Sequence, residues 1–296
     1  GLCWGMIFSV PVLLPAYSPL ALSAGRYLAF GLIVLLPAWL DRRRLAALAA
    51  ADWSKALELA LVGNLLYYCG IAFAAQHAGA PMTAAIIGTL PVVIAISGNL
   101  VDKQVRWRRL ALPLLVIGGG LALIHGREFG HFSAAGGDTG GDYLLGIAAA
   151  LFALFCWTWY PLRNAAWIAR RPGLSMTAWA TAQGLATLPL ALAAFVALAW
   201  LPGHDWPLGA DPLRYVALMA ALGLIASWLG TLFWNVASQA LPATLSGQLI
   251  VFETLFGLAF AYALRGEWPD PTSAAGIALL VAGVVLGVRA CRRGMA

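Results

Sequence analysis

Residues 213–240 carry a stripe of polar and aromatic side chains along an otherwise apolar stretch. The stripe follows the spacing i, i+4, i+7, i+8 and i+11, which is one face of a helix, and its members are Ser227, Thr231, Trp234, Asn235 and Ser238. Small polar residues such as Ser227 and Ser238 suit hydrogen bonds between packed helices. Thr231, Trp234 and Asn235 suit the wall of a cavity that binds a small molecule, and we expect them to line one.

A second stripe lies in residues 53–77, and we expect its Asn64, Tyr67 and Tyr68 to line the same cavity. Asn64, Tyr67, Tyr68 and Ile71 follow the spacing i, i+3, i+4 and i+7 of one helix face. Tyrosine in the middle of an apolar stretch is far from its usual place at a membrane–water interface. Each well-placed ring would add about 0.5–1.5 kcal/mol to the binding of an indole or phenyl group. The alternative is that the tyrosine hydroxyls bond to a neighbouring helix.

Charged side chains inside apolar stretches are rare and are candidates for function. Arg26 lies about 10 Å along its stretch at 1.5 Å per residue, and it could bind a carboxylate or hold helices together. Glu253 lies near the middle of residues 242–264, where a charge costs at least about 2.5 kcal/mol. Gln248 lies on the opposite face of that helix. We therefore expect Gln248 to line the cavity, and Glu253 to serve proton coupling or helix packing.

Three aromatic residues precede a proline in residues 142–168. They are Trp157, Trp159 and Tyr160, followed by Pro161. Proline removes a helix hydrogen bond and favours a kink. Trp157 and Tyr160 could form a gate beside that kink, or they could belong to the aromatic belt at the membrane interface; the sequence leaves both open.

These side chains must be positioned by membrane-spanning helices. Of the 296 residues, 62% are hydrophobic and 10% are charged, against about 25% charged in a soluble domain. A helix needs about 20 apolar residues to cross a bilayer. We predict an all-α membrane protein with ten spans, numbered first to tenth: 1–17, 19–40, 53–77, 80–101, 107–125, 142–168, 174–200, 213–240, 242–264 and 272–290.

The distribution of Lys and Arg predicts the orientation. Fourteen of them lie on one side of the predicted membrane, near residues 42–55, 103–109, 163–171 and 289–293, and only Arg127, Arg214 and Arg265 lie on the other. Cytoplasmic loops carry the excess of basic residues. Both termini are therefore predicted to be cytoplasmic. We attribute the net charge of +6 to this membrane topology and not to nucleic-acid binding.

The second half of the chain repeats features of the first. Cys3-Trp4 matches Cys156-Trp157, Pro81-Met82-Thr83 matches Pro242-Ala243-Thr244, and the run 114–118 matches the run 279–283, at offsets of 153, 161 and 165. Five spans is an odd number, so a second copy must enter from the opposite side, as in many secondary transporters. We predict one transmembrane domain, 1–296, with five-helix repeats in 1–130 and 142–296.

These features resemble the EamA-type drug/metabolite transporter superfamily. The resemblance rests on the ten spans, on Arg26 after Ser18-Pro19, and on the ending Gly266-Glu267, Gly276 and Leu279–Val284. The run Phe252–Gly257 and the aromatic content resemble, more narrowly, bacterial aromatic amino-acid exporters of the YddG type. One departure is Val101-Asp102-Lys103, where the superfamily often has Gly-Glu.

The resemblance implies a secondary carrier in the bacterial cytoplasmic (inner) membrane that exports aromatic amino acids by alternating access. Two alternatives stay open: an exchanger of sugar phosphates or nucleotide sugars, which would need fixed Lys or Arg in the cavity, and a channel. The four cysteines and four histidines lack metal-ligand spacing, and GxxxxGK[ST], HExxH and GxSxG are absent. We therefore expect no enzyme activity, no cofactor or metal, and no nucleic-acid partner; the partners are the substrate and the bilayer.

Overall fold

The computed structural model describes residues 1–14, 16–78, 80–102, 105–134, 141–200, 208–209, 211–241, 245–246, 249–266 and 268–295. These residues form helices and the turns between them, with no strand among them, so the predicted all-α class is confirmed. The helices of the first half are Leu2–Gly5, Met6–Ser9, Val10–Leu13, Pro19–Ile33, Leu35–Leu40, Arg42–Ala46, Ala50–Leu59, Ala60–Leu66, Tyr67–His77, Ala80–Ile87, Leu90–Asp102 and Trp107–Ala134. Those of the second half are Gly141–Ala169, Met176–Trp200, Pro212–Ala221, Leu222–Leu229, Gly230–Ala240, Val251–Arg265 and Pro271–Met295.

Six helical stretches in the described part of the chain are long and apolar enough to cross a membrane. They are Leu20–Leu40, Trp107–Ile124, Gly141–Ala169, Met176–Trp200, Pro212–Ala240 and Pro271–Ala290. Large apolar side chains such as Phe155 and Phe233 are 61% and 57% exposed on them, as a lipid-facing surface requires. The multi-pass membrane character predicted from the sequence is therefore confirmed.

The other four predicted spans contain helices that are interrupted. The first span changes to a 3₁₀ helix at Met6–Ser9, and the third contains a π-helix at Ala60–Leu66. The fourth is broken by a turn at residues 88–89 and resumes at Leu90, and the ninth is described as a helix from Val251, after a turn at Ile250. Interrupted helices are frequent in transporters, where the freed backbone groups face a cavity or other protein groups.

The interruptions fall at matching places in the two halves. Leu90 and Val251, where the fourth and ninth helices resume, are 161 residues apart, the same offset that relates Pro81 to Pro242. The third and eighth spans both contain a π-helix, Ala60–Leu66 and Leu222–Leu229. Matching interruptions are what a repeat would produce. The ten-helix inverted arrangement and the cytoplasmic termini stay predictions.

The chain forms two compact units, and each draws on both halves of the sequence. The first unit comprises Leu2–Cys69 and Arg163–Ala240; the second comprises Gly70–Leu162 and Leu241–Ala296, with Gly1. In the first unit, the second and seventh spans pack closely because each places a glycine against the other. A Cβ on Gly31 would lie 2.7 Å from Leu188, and one on Gly184 would lie 2.8 Å from Val34.

The core of the second unit lies between the fifth and tenth spans. Its fully buried members include Ile117 and Leu280, and Val251 from the ninth span packs with them. A Cβ on Gly120 would lie 2.8 Å from the carbonyl oxygen of Gly276. Small residues at such crossings let helix backbones approach closely, which is how helices associate in lipid.

Candidate substrate-binding site

Arg26 is buried in the first unit and is held by the third and eighth spans. Its helix, Pro19–Ile33, begins after Ser18, whose hydroxyl accepts a hydrogen bond from the backbone N–H of Ala21. Arg26 is only 5% exposed. Its Nε donates to Ser227 Oγ at 3.0 Å and its Nη1 donates to the Tyr68 hydroxyl at 3.0 Å. Arg26 therefore does hold helices together, which was one of its two expected roles.

The second expected role of Arg26 is also open to it. Among the described residues, no acidic side chain lies within ion-pair distance of its guanidinium. Its partners are neutral: two hydroxyls, and the rings of Tyr27 and Tyr68 at 5.0 and 5.3 Å from Cζ. A buried charge without an opposite charge is costly. An anionic group of a ligand would supply the missing charge, and guanidinium geometry matches a carboxylate well.

Two tryptophans form an aromatic wall in the same unit. The rings of Trp4 and Trp234 lie 5.5 Å apart between centroids at an angle of 38°. Trp4 Nε1 donates to the carbonyl of Ala226 at 2.9 Å, and a Cβ on Gly230 would lie 2.6 Å from that nitrogen. The Trp4 ring can therefore pack against the eighth span only because residue 230 has no side chain. Sequence analysis used Trp4 only as a marker of the repeat and missed this contact.

The π-helix of the eighth span connects the arginine to the aromatic wall. Ala226 binds Trp4 and the next residue, Ser227, binds Arg26, and both lie within Leu222–Leu229. A π-turn closes i→i+5 bonds and so contains one residue more than an α-turn; such turns occur frequently at functional sites. A charged group and a flat apolar surface thus lie against consecutive residues of one segment.

A chain of polar side chains crosses the first unit and includes both predicted asparagines. Asn64 donates to Thr187 Oγ1 at 2.9 Å, and the Thr187 hydroxyl donates to the carbonyl of Gln183 at 2.7 Å. The Gln183 side chain donates to Asn164 Oδ1 at 3.4 Å, and Asn164 Nδ2 donates to Asn235 Oδ1 at 2.8 Å. Asn64 and the side-chain oxygen of Asn235, both expected in the cavity wall, therefore bond to neighbouring helices.

Sequence analysis missed the middle of this polar chain. Asn164 is fully buried and also accepts a hydrogen bond from Trp179 Nε1 at 2.9 Å. Gln183 and Thr187 are four residues apart in the seventh span, so the spacing rule applied to the eighth span would have found them. Asn164 stands alone in its helix and gave no such signal.

The buried donors without a hydrogen-bond partner among the described residues include three of the eighth span: Trp234 Nε1, Asn235 Nδ2 and the hydroxyl of Ser238. Trp234 is 9% exposed and Asn235 is fully buried. Unpaired buried donors are rare because each costs about 1–3 kcal/mol. Together with Arg26 they offer a ligand positive charge and N–H groups, which suits a group rich in hydrogen-bond acceptors.

Tyr67, Tyr68 and Thr231, three further predicted cavity residues, also lie in the first unit. The rings of Tyr67 and Tyr68 meet edge to face at 6.0 Å, and those of Tyr27 and Tyr68 at 5.5 Å. Thr231 is half-buried, one turn before Trp234. The structure therefore places Arg26 and the predicted cavity residues of the third and eighth spans, which come from three separate spans, in one unit.

The remaining candidates belong to the second unit. Trp157 and Tyr160 stack at 5.2 Å with their planes at 4°. Glu253, expected near the middle of a span, lies in the first turn of Val251–Arg265 because the helix resumes only at Val251. An acidic side chain is favourable at that end of a helix dipole. Gln248 lies outside the described residues.

Comparison with known proteins agrees with this architecture. The chain matches the EamA-like transporter family over residues 1–124 and 144–289. It is 47% identical to the inner membrane protein YtfF of Escherichia coli (strain K12), over 98% of this chain and 92% of that protein. It is 26% identical to an uncharacterized transporter of Archaeoglobus fulgidus (strain ATCC 49558 / DSM 4304 / JCM 9628 / NBRC 100126 / VC-16), over 85% of this chain and 82% of that protein.

A crystal structure at 17% identity superposes with a TM-score of 0.77 and covers 99% of this chain and 95% of its own. That likeness shows a shared fold. The family match covers both halves of the chain, and the relative in E. coli lies in the inner membrane. The protein is therefore a multi-pass inner-membrane transporter, and the chain belongs to the EamA-like transporter family.

Proposed function

We propose that this protein is a secondary carrier that exports aromatic amino acids, binding the substrate carboxylate at Arg26 and its ring against the Trp4–Trp234 wall. The observation that carries the proposal is the buried guanidinium of Arg26, which has no acidic partner among the described residues. The unpaired donors of Trp234 and Asn235 add to the preference for an anionic, acceptor-rich group. The rings around Arg26 favour an aromatic side chain over an aliphatic one.

The supply of positive charge favours a carboxylate over a phosphate. Within the described part of the chain the buried basic side chains are Arg26 and Lys55, and Lys55 pairs with Glu58. Sugar phosphates and nucleotide sugars carry more negative charge and would need several fixed cations. The exchanger of phosphorylated sugars is therefore the weaker candidate.

Alternating access is the transport mode that the predicted inverted repeat supports. A bound substrate would be reached in turn from each side, and export is the direction implied by resemblance to the aromatic amino-acid exporters. A channel is the competing mode. Saturable uptake of labelled tryptophan into liposomes, accelerated by unlabelled tryptophan on the opposite side, would identify a carrier; flux that rises linearly with concentration would identify a channel.

The role of Arg26 is tested by comparing tryptophan with tryptamine, which has the same ring and lacks the carboxylate. In the wild type, tryptophan should compete for transport more than tenfold better than tryptamine, because a hydrogen bond to a charged group contributes about 1.5–3 kcal/mol. Arg26→Gln should remove most of that preference. Arg214→Gln, which removes an exposed arginine, should keep it. An unchanged preference in Arg26→Gln would show that Arg26 serves only to hold helices.

A further inference from the structure

A basic cavity lies between the segment that follows the second span and the segment that precedes the seventh span, within the first unit. It has a volume of about 500 Å³ and is lined by Arg44, Asp52, Arg170, Arg171, Gly173 and Ser175, among others. None of these residues belongs to the candidate substrate site. The cavity lies beside the short helix Arg42–Ala46, which is separated from the helix Leu35–Leu40 by the single residue Asp41.

The single acid of this lining is already neutralised. Asp52 is 3% exposed, and its Oδ1 accepts from Arg171 at 2.9 Å and from Trp167 Nε1 at 3.1 Å. Its Oδ2 accepts from the backbone N–H of Ala49 at 2.9 Å. Arg171 and Asp52 therefore cancel one another, and they build a fixed wall for the cavity.

Two arginines of the lining keep their charge available. Arg170 has no acidic partner within ion-pair distance among the described residues. Arg44 reaches Asp41 only at 3.5 Å, with 67% of its side chain exposed, and such surface pairs contribute little. The cavity therefore presents a net positive charge to whatever enters it.

A helix end adds to that charge. The helix Met176–Trp200 begins at this cavity, and Ser175 caps it by accepting from the N–H of Ala178 at 3.4 Å. The N-terminus of a 25-residue helix carries a partial positive charge and free N–H groups, which favour phosphate. Arginine guanidinium groups bind phosphate oxygens in pairs.

The surroundings of the cavity are those of a membrane interface. The neighbouring helix Leu35–Leu40 exposes Leu36 and Trp39 at 64% each and Leu40 at 68%, and the guanidinium of Arg42 lies 5.9 Å from the Trp39 ring. Tryptophan and arginine at the end of an apolar helix are typical of the headgroup region. A ligand here would place an anionic group in the cavity and apolar chains beside Leu36 and Leu40.

We infer that this cavity binds the headgroup of an anionic phospholipid, with Arg44 and Arg170 contacting its phosphate. Basic pockets between membrane helices bind such headgroups, and each basic residue near the surface contributes roughly a fivefold gain in affinity. Arg171 holds Asp52 and shapes the cavity wall.

The test is native mass spectrometry of the purified, delipidated protein titrated with palmitoyl-oleoyl phosphatidylglycerol or with the matched phosphatidylcholine. Arg44→Gln or Arg170→Gln should weaken phosphatidylglycerol binding about fivefold, and the double variant about 25-fold. Phosphatidylcholine binding should be the same in all variants and reports on the fold. The matched control is Arg108→Gln, an exposed arginine of the second unit, which should bind phosphatidylglycerol as the wild type does.

Three outcomes would overturn the inference. Equal binding of the two lipids by the wild type would show that the cavity does not select charge. Equal losses of phosphatidylglycerol affinity in Arg108→Gln and Arg170→Gln would show that the lipid is attracted by the overall surface charge and not by this cavity. Displacement of phosphatidylglycerol by excess inorganic phosphate, with phosphate alone bound in its place, would show that the site takes soluble phosphate.

Discussion

The rings of Trp4 and Trp234 lie 5.5 Å apart between centroids, but their indole N–H groups differ in their hydrogen bonds. Trp4 Nε1 donates to Ala226 across 222 residues of sequence, whereas Trp234 Nε1 has no partner among the described residues. The Trp4 ring is therefore fixed to the eighth span, and the Trp234 ring keeps a donor that a ligand can use. We therefore expect Trp234, and not Trp4, to donate a hydrogen bond to a ligand.

Trp234→Ala should weaken the apparent affinity for tryptophan roughly 5- to 30-fold. Losing one aromatic wall costs roughly 1–2 kcal/mol of stacking and burial, and 1.4 kcal/mol is one decade. The measurement is competition for tryptophan transport in liposomes. Trp200→Ala, which removes a side chain that is 84% exposed, is the control and should have no effect. Equal losses for aromatic and aliphatic substrates in Trp234→Ala would mean that Trp234 only packs helices.

Gly120→Ala should destabilise the protein by about 1–3 kcal/mol, the usual cost of overpacking. The added Cβ would lie 2.8 Å from the Gly276 carbonyl and 3.1 Å from Leu280. Gly118→Ala is the matched control on the same helix, because a Cβ there meets nothing within 4 Å. Thermal unfolding in detergent should show a lower Tm for Gly120→Ala only. A lower Tm for both variants would refute the close crossing.

Asn164→Leu should lower the Tm more than a typical surface change. It would leave the donor of Trp179 and the oxygen of Asn235 without the partner that Asn164 supplies, at about 1–3 kcal/mol for each orphaned buried group. Asn164→Asp keeps an acceptor for Trp179 and a donor for Asn235 only when its carboxyl is protonated, because a charged carboxylate at a fully buried position is costly, so its loss of Tm should be smaller at low pH than at neutral pH. A Tm equal to that of the wild type in Asn164→Leu would contradict the polar chain.

Glu253→Gln should abolish the dependence of transport on a pH gradient while leaving tryptophan exchange intact, if Glu253 serves proton coupling, the first of its two expected roles. Glu58→Gln is the control, because Glu58 pairs with Lys55 and Arg163 near the end of its span. Flux should be measured with and without an imposed gradient. Unchanged pH dependence in Glu253→Gln would reduce Glu253 to a structural residue.

The predicted orientation is tested with single cysteines on a background lacking the four native ones. Ala47→Cys, at an exposed position after Arg42–Ala46, should react only with reagent on the cytoplasmic side. Asp138→Cys, between the fifth and sixth spans, should react only from outside. Labelling of Asp138→Cys from the cytoplasm would reverse the topology.

The sequence predicted those parts of the site that share one helix. Trp234 and Asn235 lie on a face defined by spacing alone, and the burial of both agrees with that face. Contacts between distant segments gave no such signal. Trp4 binds a backbone carbonyl, which any residue at position 226 would supply, so no residue type marks that contact.

The two π-helices were equally hidden from sequence reasoning. A π-helix has the same composition as an α-helix, and Ala60–Leu66 contains neither proline nor a charged residue. The break before Val251 places Glu253 in the first turn of a helix, which no residue type there indicated. Backbone geometry, which depends on packing against other helices, decided both positions.

The hydrogen bond from Arg26 to Ser227 also imposes an order on biosynthesis. Ser227 follows Arg26 by 201 residues, which is about 10–40 s of synthesis at about 5–20 residues per second. Tyr68 follows by only 42 residues and supplies the first partner. The second span therefore enters the bilayer with its arginine incompletely bonded, at a cost of up to about 2.5–3.5 kcal/mol. The first half of the nascent chain waits for the second before the site around Arg26 is complete.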